Sequence, residues 1–176
     1  GLAFNPDFNG ARQEGVGLYQ VTHRRGERFS AAKAYLTPNR NRPNLQVFTG
    51  VTAERIVLDQ GAARQVQIVQ GSTRRILTAQ REIIVSAGAF QSPALLMRSG
   101  IGPGAQLQAM GISTQVDLPG VGENLHDHPD VVLVAEAPYN ALFGISPMGA
   151  WNLLKGMWDW RQHRRGFLTT NFAEGG

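Results

Sequence analysis

A run of small residues directly after an apolar segment is the first feature that points to chemistry. Ile83, Ile84 and Val85 form a continuous β-branched run, which is typical of a strand buried on both faces of a parallel sheet. Ser86-Ala87-Gly88-Ala89 follows at once and leads into a predicted helix. Because ligands of open α/β sheets lie beyond the carboxyl ends of the strands, the backbone N–H groups of residues 87–89 can approach a phosphate or a ribose. The same pattern also suits a plain strand-to-helix turn whose small residues serve packing only.

A second glycine-rich stretch, residues 100–105, satisfies the G-x-G-x-x-G/A pattern of dinucleotide-binding proteins. In that motif the glycines follow a strand and open a helix, whereas here they follow a predicted helix. Pro103 also removes a backbone donor that a phosphate would need. We therefore reject this stretch as a phosphate loop and expect its glycines to form a tight link between two helices.

Two histidines, His126 and His128, flank Asp127 and raise the question of a metal site. In an extended chain the two imidazoles share one face while Asp127 points away, and no third ligand of suitable type is evident nearby in the sequence. We therefore predict no metal, and a metal-dependent enzyme would have to show bound zinc or iron. A serine hydrolase has no support either, because the sequence contains no G-x-S-x-G motif.

Composition excludes several classes of protein. The 176 residues suffice for one domain or parts of two, and the 42% hydrophobic content is ordinary for a globular protein. The net charge of +4 is mild, and the arginine pairs at 24–25, 74–75 and 164–165 are short, so we expect no nucleic-acid partner. The absence of cysteine excludes disulfides and cysteine-ligated zinc or iron–sulfur sites. No apolar run approaches the roughly 20 residues that a membrane-spanning helix needs.

Four strand candidates follow one another between residues 45 and 78, with turn residues between them. This spacing predicts a β-meander. Val66 and Ile68 alternate with Gln65 and Gln67, as expected of a sheet with one buried face. The four candidates are residues 45–49, 53–58, 64–69 and 75–78.

The remaining predicted elements are shorter, apart from one helix near the end of the chain. Ser30 can cap a short helix that Pro38 ends, and Gly100 and Gly111 each end a helix. These helices are predicted over residues 30–35, 91–97 and 103–110, and strands over residues 16–22, 114–116 and 131–135.

The longest predicted helix covers residues 151–164. Trp151, Leu154 and Trp158 lie on one face of it, and we expect that face to belong to the core. Capping of a substrate channel and contact with a membrane surface remain open as alternatives.

Together these stretches resemble the glucose–methanol–choline (GMC) oxidoreductases. Residues 88–102, G-A-F-Q-S-P-A-L-L-M-R-S-G-I-G, are similar to the family's second signature along its whole length. Two further matches occur in the family's order, R-P-N-L-Q-V-F-T-G at 42–50 and L-P-G-V-G-E-N-L-H-D-H-P at 118–129. His126 is a departure, because the family usually carries Gln there. Residues 7–36 resemble the choline dehydrogenase and aliphatic alcohol dehydrogenase branch.

The resemblance implies an α/β fold with an α+β substrate part. Residues 1–111 would form the middle part of an FAD/NAD(P)-binding Rossmann domain, with its β-meander, its last parallel strand and the helices that follow. Residues 112–176 would form a linker and the beginning of the substrate-binding domain. The chain starts with Gly1-Leu2-Ala3 and stops at Gly175-Gly176, and we expect both ends to be cuts in a longer protein.

The resemblance also assigns positions around the cofactor and the substrate. The backbone of Ala53 would contact the adenine end of FAD, and Ala87 and Gly88 would lie near its ribose and pyrophosphate. Asn124 and His128 would sit near the junction of the FAD and substrate domains, neither of them catalytic. The family's phosphate loop and its late histidine base have no counterpart in this chain, so no residue is assigned to catalysis.

One further position is implied on the substrate side. Glu174 would face the substrate pocket, where a carboxylate attracts a quaternary ammonium or accepts a hydrogen bond. A surface glutamate at a strand end is the alternative.

The function implied is FAD-dependent oxidation of a small alcohol to an aldehyde, with hydride passing to the flavin and electrons then to a quinone or similar acceptor rather than to oxygen. A non-catalytic binding or structural module is the alternative. We expect the segment by itself to be inactive, not to retain FAD, and either to self-associate or to be disordered at its ends. The resemblance fits a cytoplasmic or peripheral inner-membrane protein, and the sequence leaves the location open.

Overall fold

The structure, a computed structural model, describes residues 1–129, 131 and 146–169. The chain divides into two compact units. One consists of residues 1–46 and 133–176, and the other of residues 47–132. None of the helices in the described part of the chain is both long enough and apolar enough to cross a membrane.

The first unit begins with irregular chain held together by Asn5. The buried Asn5 side chain donates to the carbonyl oxygens of Arg12 and Glu14 at 2.8 and 3.3 Å. The backbone of Val16 pairs with this loop, donating to Ala3 and accepting from Asn5, and makes a single parallel bridge with Phe4. The predicted strand over residues 16–22 is wrong, because Val16 meets a loop rather than an extended neighbour.

A tight hairpin follows, with strands β1 (His23–Arg24) and β2 (Glu27–Arg28) in antiparallel pairing. Arg25 and Gly26 connect them with φ angles of 53° and 71°, the left-handed values that two-residue hairpin turns require. The turn of this hairpin is therefore formed by Arg25 and Gly26.

The helix predicted over residues 30–35 is a π-helix over Ala32–Leu36 that continues into a 3-10 helix over Thr37–Asn39. Pro38 lies inside the 3-10 helix. The prediction that Pro38 ends the preceding helix is therefore wrong. A proline is tolerated at the first positions of a helical turn, where its missing N–H has no intrahelical partner anyway.

The described part of the chain also forms three α-helices, and the last of them begins at capping residues of its own. In chain order the α-helices are α1 (Gly88–Arg98), α2 (Gly104–Ala109) and α3 (Pro147–His163), and a 3-10 helix over Phe167–Thr169 follows α3. Helix α3 starts four residues earlier than expected, because the Oγ of Ser146 accepts from the Gly149 N–H at 3.0 Å and Pro147 occupies the first turn.

Helix α3 packs on the hairpin through its polar side. The indole N–H of Trp160 donates to the carbonyl of Gly26 at 2.6 Å. Arg164 lies over the Trp160 ring at 4.2 Å and pairs with Glu27 at 2.9 Å. The expectation that the opposite, apolar face is core is wrong for the described structure. That face carries Trp151, Leu154 and Trp158, which are 64%, 59% and 67% exposed.

In the second unit, strands β3 (Thr52–Asp59), β4 (Ala62–Gln70) and β5 (Thr73–Thr78) form an antiparallel meander. Three of the four strands predicted from the spacing of turn residues therefore form this sheet. Ile68 is buried as expected, but Val66 is half-buried like the two glutamines beside it, and Ile56 of β3, the strand that α1 contacts, is buried too. Irregularities in the pairing of β3 with β4 lie between Ala53 and Arg55 and between Val57 and Leu58.

Two predicted strands, over residues 45–49 and 83–85, are not formed. A strand is held by hydrogen bonds to a neighbour, and within the described residues no strand pairs with either segment. Ile84 is 77% exposed, so residues 83–85 do not form, within the described part of the chain, the parallel strand that we expected to be buried on both faces.

Helix α1 begins three residues before its predicted start, and Gly100 (φ 81°) ends it as predicted. Two short strands, β6 (Ile101–Gly102) and β7 (Val116–Asp117), then pair in parallel around α2. Leu107 of α2 is almost fully buried and anchors this part of the unit.

Candidate functional site

A groove of about 470 Å³ lies along one side of α1 in the second unit. Its floor is made by residues of α1, and its other wall is the chain that follows β7. The lining residues are Ala89, Phe90, Pro93, Ala94, Met97, Gly122, Glu123, Asn124, Leu125 and His126. The groove therefore joins the two segments that the sequence singled out, residues 88–102 and 118–129.

The entrance of α1 combines exposure with a glycine that the backbone requires. Gly88 has a φ of 87°, a left-handed value that favours glycine, and no atom lies within 4 Å of where a Cβ would stand. Ala87, Gly88 and Ala89 are all exposed. The first N–H groups of an α-helix have no intrahelical acceptor, so those of Gly88 and Ala89 can donate to a ligand that reaches this exposed end of α1.

One of the three expected donors is already engaged. The backbone N–H of Ala87 donates to the Oγ of Ser92 at 3.0 Å. Serine hydroxyls commonly bond backbone groups a few residues away, and this bond fixes the turn before the helix. The sequence suggested backbone approach at residues 87–89, and the structure leaves Gly88 and Ala89 for it.

The opposite wall of the groove is a chain of turns. The backbone of Gly122 has a φ of 86° and that of Asn124 a φ of 54°. A Cβ on Gly122 would stand 2.5 Å from the Cε of Met97, so this wall packs directly on α1. Asn124 lines the groove, as does His126.

His128 lies near this wall but does not line the groove, and its backbone N–H donates to the Asp127 carboxylate at 2.8 Å. Within the described ranges no group of three His, Asp or Glu side chains is placed to hold a metal ion. Glu174 lies outside the described residues.

The glycine pattern that we rejected has a structural role. Gly100 to Gly102 ends α1 and forms β6, and the N–H of Gly104 at the start of α2 donates to the Oδ1 of Asp117 at 2.8 Å. A Cβ on Gly104 would stand 3.1 Å from that carboxyl group. A carboxylate of the chain itself thus occupies the position a phosphate would need, in agreement with the rejection.

Ala53 lies on β3, where its carbonyl accepts from the Nη2 of Arg98 at the end of α1 at 3.5 Å, and it does not line the groove. The sheet and the helix are joined by Ser99, which is fully buried and whose Oγ accepts from the Ile56 N–H at 2.8 Å and donates to the Leu95 carbonyl at 2.6 Å. Sequence reasoning missed Ser99, because its partner is 43 positions away and no local pattern marks it.

A charged cluster surrounds the Ala53 end of the sheet. Glu54 accepts from Arg74 at 3.0 and 3.1 Å and from Gln67 at 3.0 Å. The hydrogen bond from Arg74 lowers the pKa of the Glu54 carboxyl, and the charges of Arg74 and Arg98 act in the same direction. Glu54 is therefore ionised at neutral pH, and its carboxylate holds the side chains of Arg74 and Gln67.

The open entrance of α1 and the groove beside it together make a candidate ligand site. The open space at Gly88 admits a phosphate or ribose close to the backbone, and the small residues at 87–89 keep side chains out of its way. A groove continues from there along α1 with both polar and apolar lining.

Comparison with known proteins identifies the family of this chain. The model of the GMC oxidoreductase family matches residues 1–130. The chain belongs to the GMC oxidoreductase family. The family predicted from residues 42–50, 88–102 and 118–129 is therefore confirmed.

The curated relatives are enzymes. Over 99% of its length the chain is 41% identical to an alcohol dehydrogenase (acceptor) of Pseudomonas putida and 41% identical to an oxygen-dependent choline dehydrogenase of Sinorhizobium medicae. It covers 32% and 31% of those proteins, so the chain spans about a third of the length of these GMC relatives.

A solved structure confirms the fold class. Formate oxidase from Aspergillus oryzae, a protein studied for modification of its FAD, superposes on 99% of the chain with a TM-score of 0.82 and 27% identity, over 30% of its own chain. The chain accordingly has the fold of part of the FAD-binding region of a GMC oxidoreductase.

Proposed function

We propose that this chain is the part of an FAD-dependent oxidoreductase that supplies backbone contacts to the cofactor, and that the complete protein acts on CH–OH groups. The observation that carries the proposal is the exposed entrance of α1 at Gly88, open to a ligand and continuous with the groove. The 41% identity to alcohol and choline dehydrogenases over 99% of the chain supports the reaction class.

Different residues are assigned to the two ends of the cofactor. The N–H groups of Gly88 and Ala89 donate to the pyrophosphate or ribose, with Ala87 held in place by Ser92. The backbone of Ala53 contacts the adenine end. In this proposal residues 1–111 belong to the FAD-binding domain and residues 112–176 form the linker and the start of the substrate domain.

The substrate side is assigned to three positions. Asn124 and His128 lie near the junction of the two domains, where Asn124 offers an amide to the groove. Glu174 faces the substrate and attracts a cationic or hydroxyl-bearing group. When bound, FAD would supply the hydride-accepting redox chemistry, and the complete protein would position the alcohol and take its proton. No residue of this chain is assigned that proton.

The substrate is a small alcohol, and the electron acceptor is a quinone or similar molecule rather than oxygen. The dehydrogenase-like residues 7–36 support this choice. The names of the relatives do not decide between a quinone and oxygen as the acceptor. One relative is a dehydrogenase with an unspecified acceptor, and the other is called oxygen-dependent. Turnover by the complete protein with a quinone in the absence of oxygen is the expected result, and turnover that depends on oxygen would contradict it.

Anaerobic mixing of the complete protein with alcohols tests the reaction class. We expect FAD to copurify and its visible absorption to disappear when a substrate alcohol is added. A non-catalytic module would show no bleaching with any alcohol, and a protein without flavin would contradict the proposal outright.

The 176-residue chain alone is expected to bind FAD weakly or not at all, because the family's phosphate loop lies outside it. Titration of FAD into the purified chain, followed by flavin fluorescence, measures this. Tight stoichiometric binding would contradict the expected division of the FAD site between this chain and the rest of the enzyme.

A further inference from the structure

The end of α1 holds the start of the meander through an arginine. Arg98, the last residue of α1, donates from Nε to the carbonyl of Glu54 at 3.3 Å and from Nη2 to the carbonyl of Ala53 at 3.5 Å. A guanidinium presents its donors as a planar fork, so one side chain engages two successive carbonyls at once. Arg98 is exposed, so its contribution is this contact and not burial.

The strand is irregular at the same place. Ala53 pairs with Ile68 and Arg55 with Gln67, which leaves Glu54 as the extra residue of a bulge. A bulge redirects the backbone groups around it, and here it places two neighbouring carbonyls within reach of one arginine. The side chain of Glu54 is fixed in turn by Arg74 and Gln67.

The helix that carries Arg98 begins at Gly88. The rise of an α-helix separates the two residues by about 15 Å, so α1 acts as a rigid spacer between them. At one end of α1 are the N–H groups that we propose to bind the pyrophosphate. At the other end Arg98 donates to β3, the strand that we propose to contact the adenine.

We propose that Arg98 is a positioning residue for FAD, which holds the Ala53–Glu54 bulge against α1 and so aims the Ala53 backbone at the adenine. The inference rests on the proposed function, since it presupposes that Ala53 meets the adenine end. Arg98 itself does not touch the cofactor. Ser99, next along the chain, secures β3 at Ile56, and Arg98 adds control over the orientation of the strand's first residues.

The test compares two dinucleotides in the complete protein. One is FAD, and the other is flavin hypoxanthine dinucleotide, in which a carbonyl oxygen replaces the 6-amino group of adenine. The apoprotein is titrated with each, and the ratio of the two dissociation constants measures how well the backbone reads the adenine edge. We expect the unaltered protein to prefer FAD.

Arg98→Lys keeps the charge and removes the fork. We expect it to weaken FAD binding by about tenfold, while the analogue, which has already lost the adenine contact, is affected much less. Arg98→Gln should behave in the same way and serves as a second variant. Arg64→Lys, an exposed arginine of β4 at the end of the sheet away from Ala53, is the matched control and should leave both constants unchanged.

A loss of general structure would weaken both dinucleotides by the same factor and leave the preference intact. An unchanged preference in both Arg98 variants would therefore overturn the positioning role. No preference in the unaltered protein would overturn the assignment of Ala53 instead, and failure of that protein to bind FAD would contradict the proposed function.

Discussion

Ser99 is a single hydroxyl that joins a helix to a sheet. It is fully buried, accepts from the Ile56 N–H and donates to the Leu95 carbonyl. Ser99→Ala removes the acceptor and leaves a buried N–H without a partner, which we expect to cost about 1–3 kcal/mol of unfolding free energy. Urea unfolding measures the loss, and hydrogen exchange at the Ile56 amide should accelerate.

Ser113→Ala is the matched control, because Ser113 is an exposed serine of the same unit. Equal unfolding free energies for the two variants would show that the Ser99 bond contributes nothing net.

Gly122 is required by both its backbone and its neighbour. Its φ is 86°, and an added Cβ would stand 2.5 Å from the Cε of Met97. We expect Gly122→Ala to destabilise the unit by about 1–2 kcal/mol from the left-handed backbone alone, with the contact to Met97 adding to it. Adding Met97→Ala should relieve the clash and leave the backbone strain. Thermal unfolding of the single and double variants measures both parts.

Gly120→Ala tests the same loop without either constraint, because nothing lies within 4 Å of its Cβ position. If Gly120→Ala destabilised the protein as much as Gly122→Ala, the loop would be intolerant of side chains in general.

Local patterns identified some of these residues and not others. Gly88 and Gly100 could be predicted, because a helix entered from small residues and ended by Ser-Gly is a pattern of neighbours. Ser99 and Arg98 could not, since their partners on β3 are 43 to 45 positions away. The packing of Gly122 could not be predicted either, since its neighbour Met97 lies 25 positions earlier in the chain.

At the scale of elements, the contact between the hairpin and α3 depends on an ionised glutamate. Glu27 accepts from Lys33 and pairs with Arg164 at 2.9 Å. The hydrogen bond from Lys33 lowers the pKa of Glu27, and the charges of Arg164 and Lys33 add to the effect. Because the folded pKa lies below the unfolded one, this stabilisation is present above the ordinary glutamate pKa of about 4.3 and is lost as pH falls through the lowered value.

We therefore expect acidification below the ordinary pKa of a glutamate to loosen the hairpin from α3. The indole N–H of Trp160, bonded to Gly26, reports this in an NMR titration with hydrogen exchange. In Glu27→Gln the exchange should be faster at neutral pH and less dependent on pH. Glu14→Gln, which removes a highly exposed glutamate of the same unit, should leave the profile unchanged.

The elements that could be predicted are those whose hydrogen-bonded partners lie close in the sequence. The meander of β3, β4 and β5 was predictable, because each strand pairs with the next along the chain. The strands expected at residues 45–49 and 83–85 depend on distant neighbours, and none is present among the described residues. The start of α3 was missed through its Ser146-Pro147 cap, and the orientation of its apolar face follows from tertiary contacts at Trp160 and Arg164.

At the scale of the molecule, the chain exposes many large apolar side chains, including those of α3. Soluble monomers rarely expose extended apolar patches, so we expect the isolated chain to self-associate. Sedimentation velocity over a range of concentrations measures this, and a strictly monomeric chain at high concentration would contradict the expectation.

The central claim is that these 176 residues complete an FAD site only together with the rest of a GMC enzyme. A hybrid enzyme tests the claim directly. In it, this chain replaces the segment of the Pseudomonas putida alcohol dehydrogenase that aligns with it at 41% identity. We expect the hybrid to purify with FAD and to oxidise alcohols. The same hybrid carrying Gly88→Val, which puts a branched side chain at a φ of 87°, should fold but lose the flavin. A folded hybrid without FAD, or one that keeps its flavin despite Gly88→Val, would contradict the account.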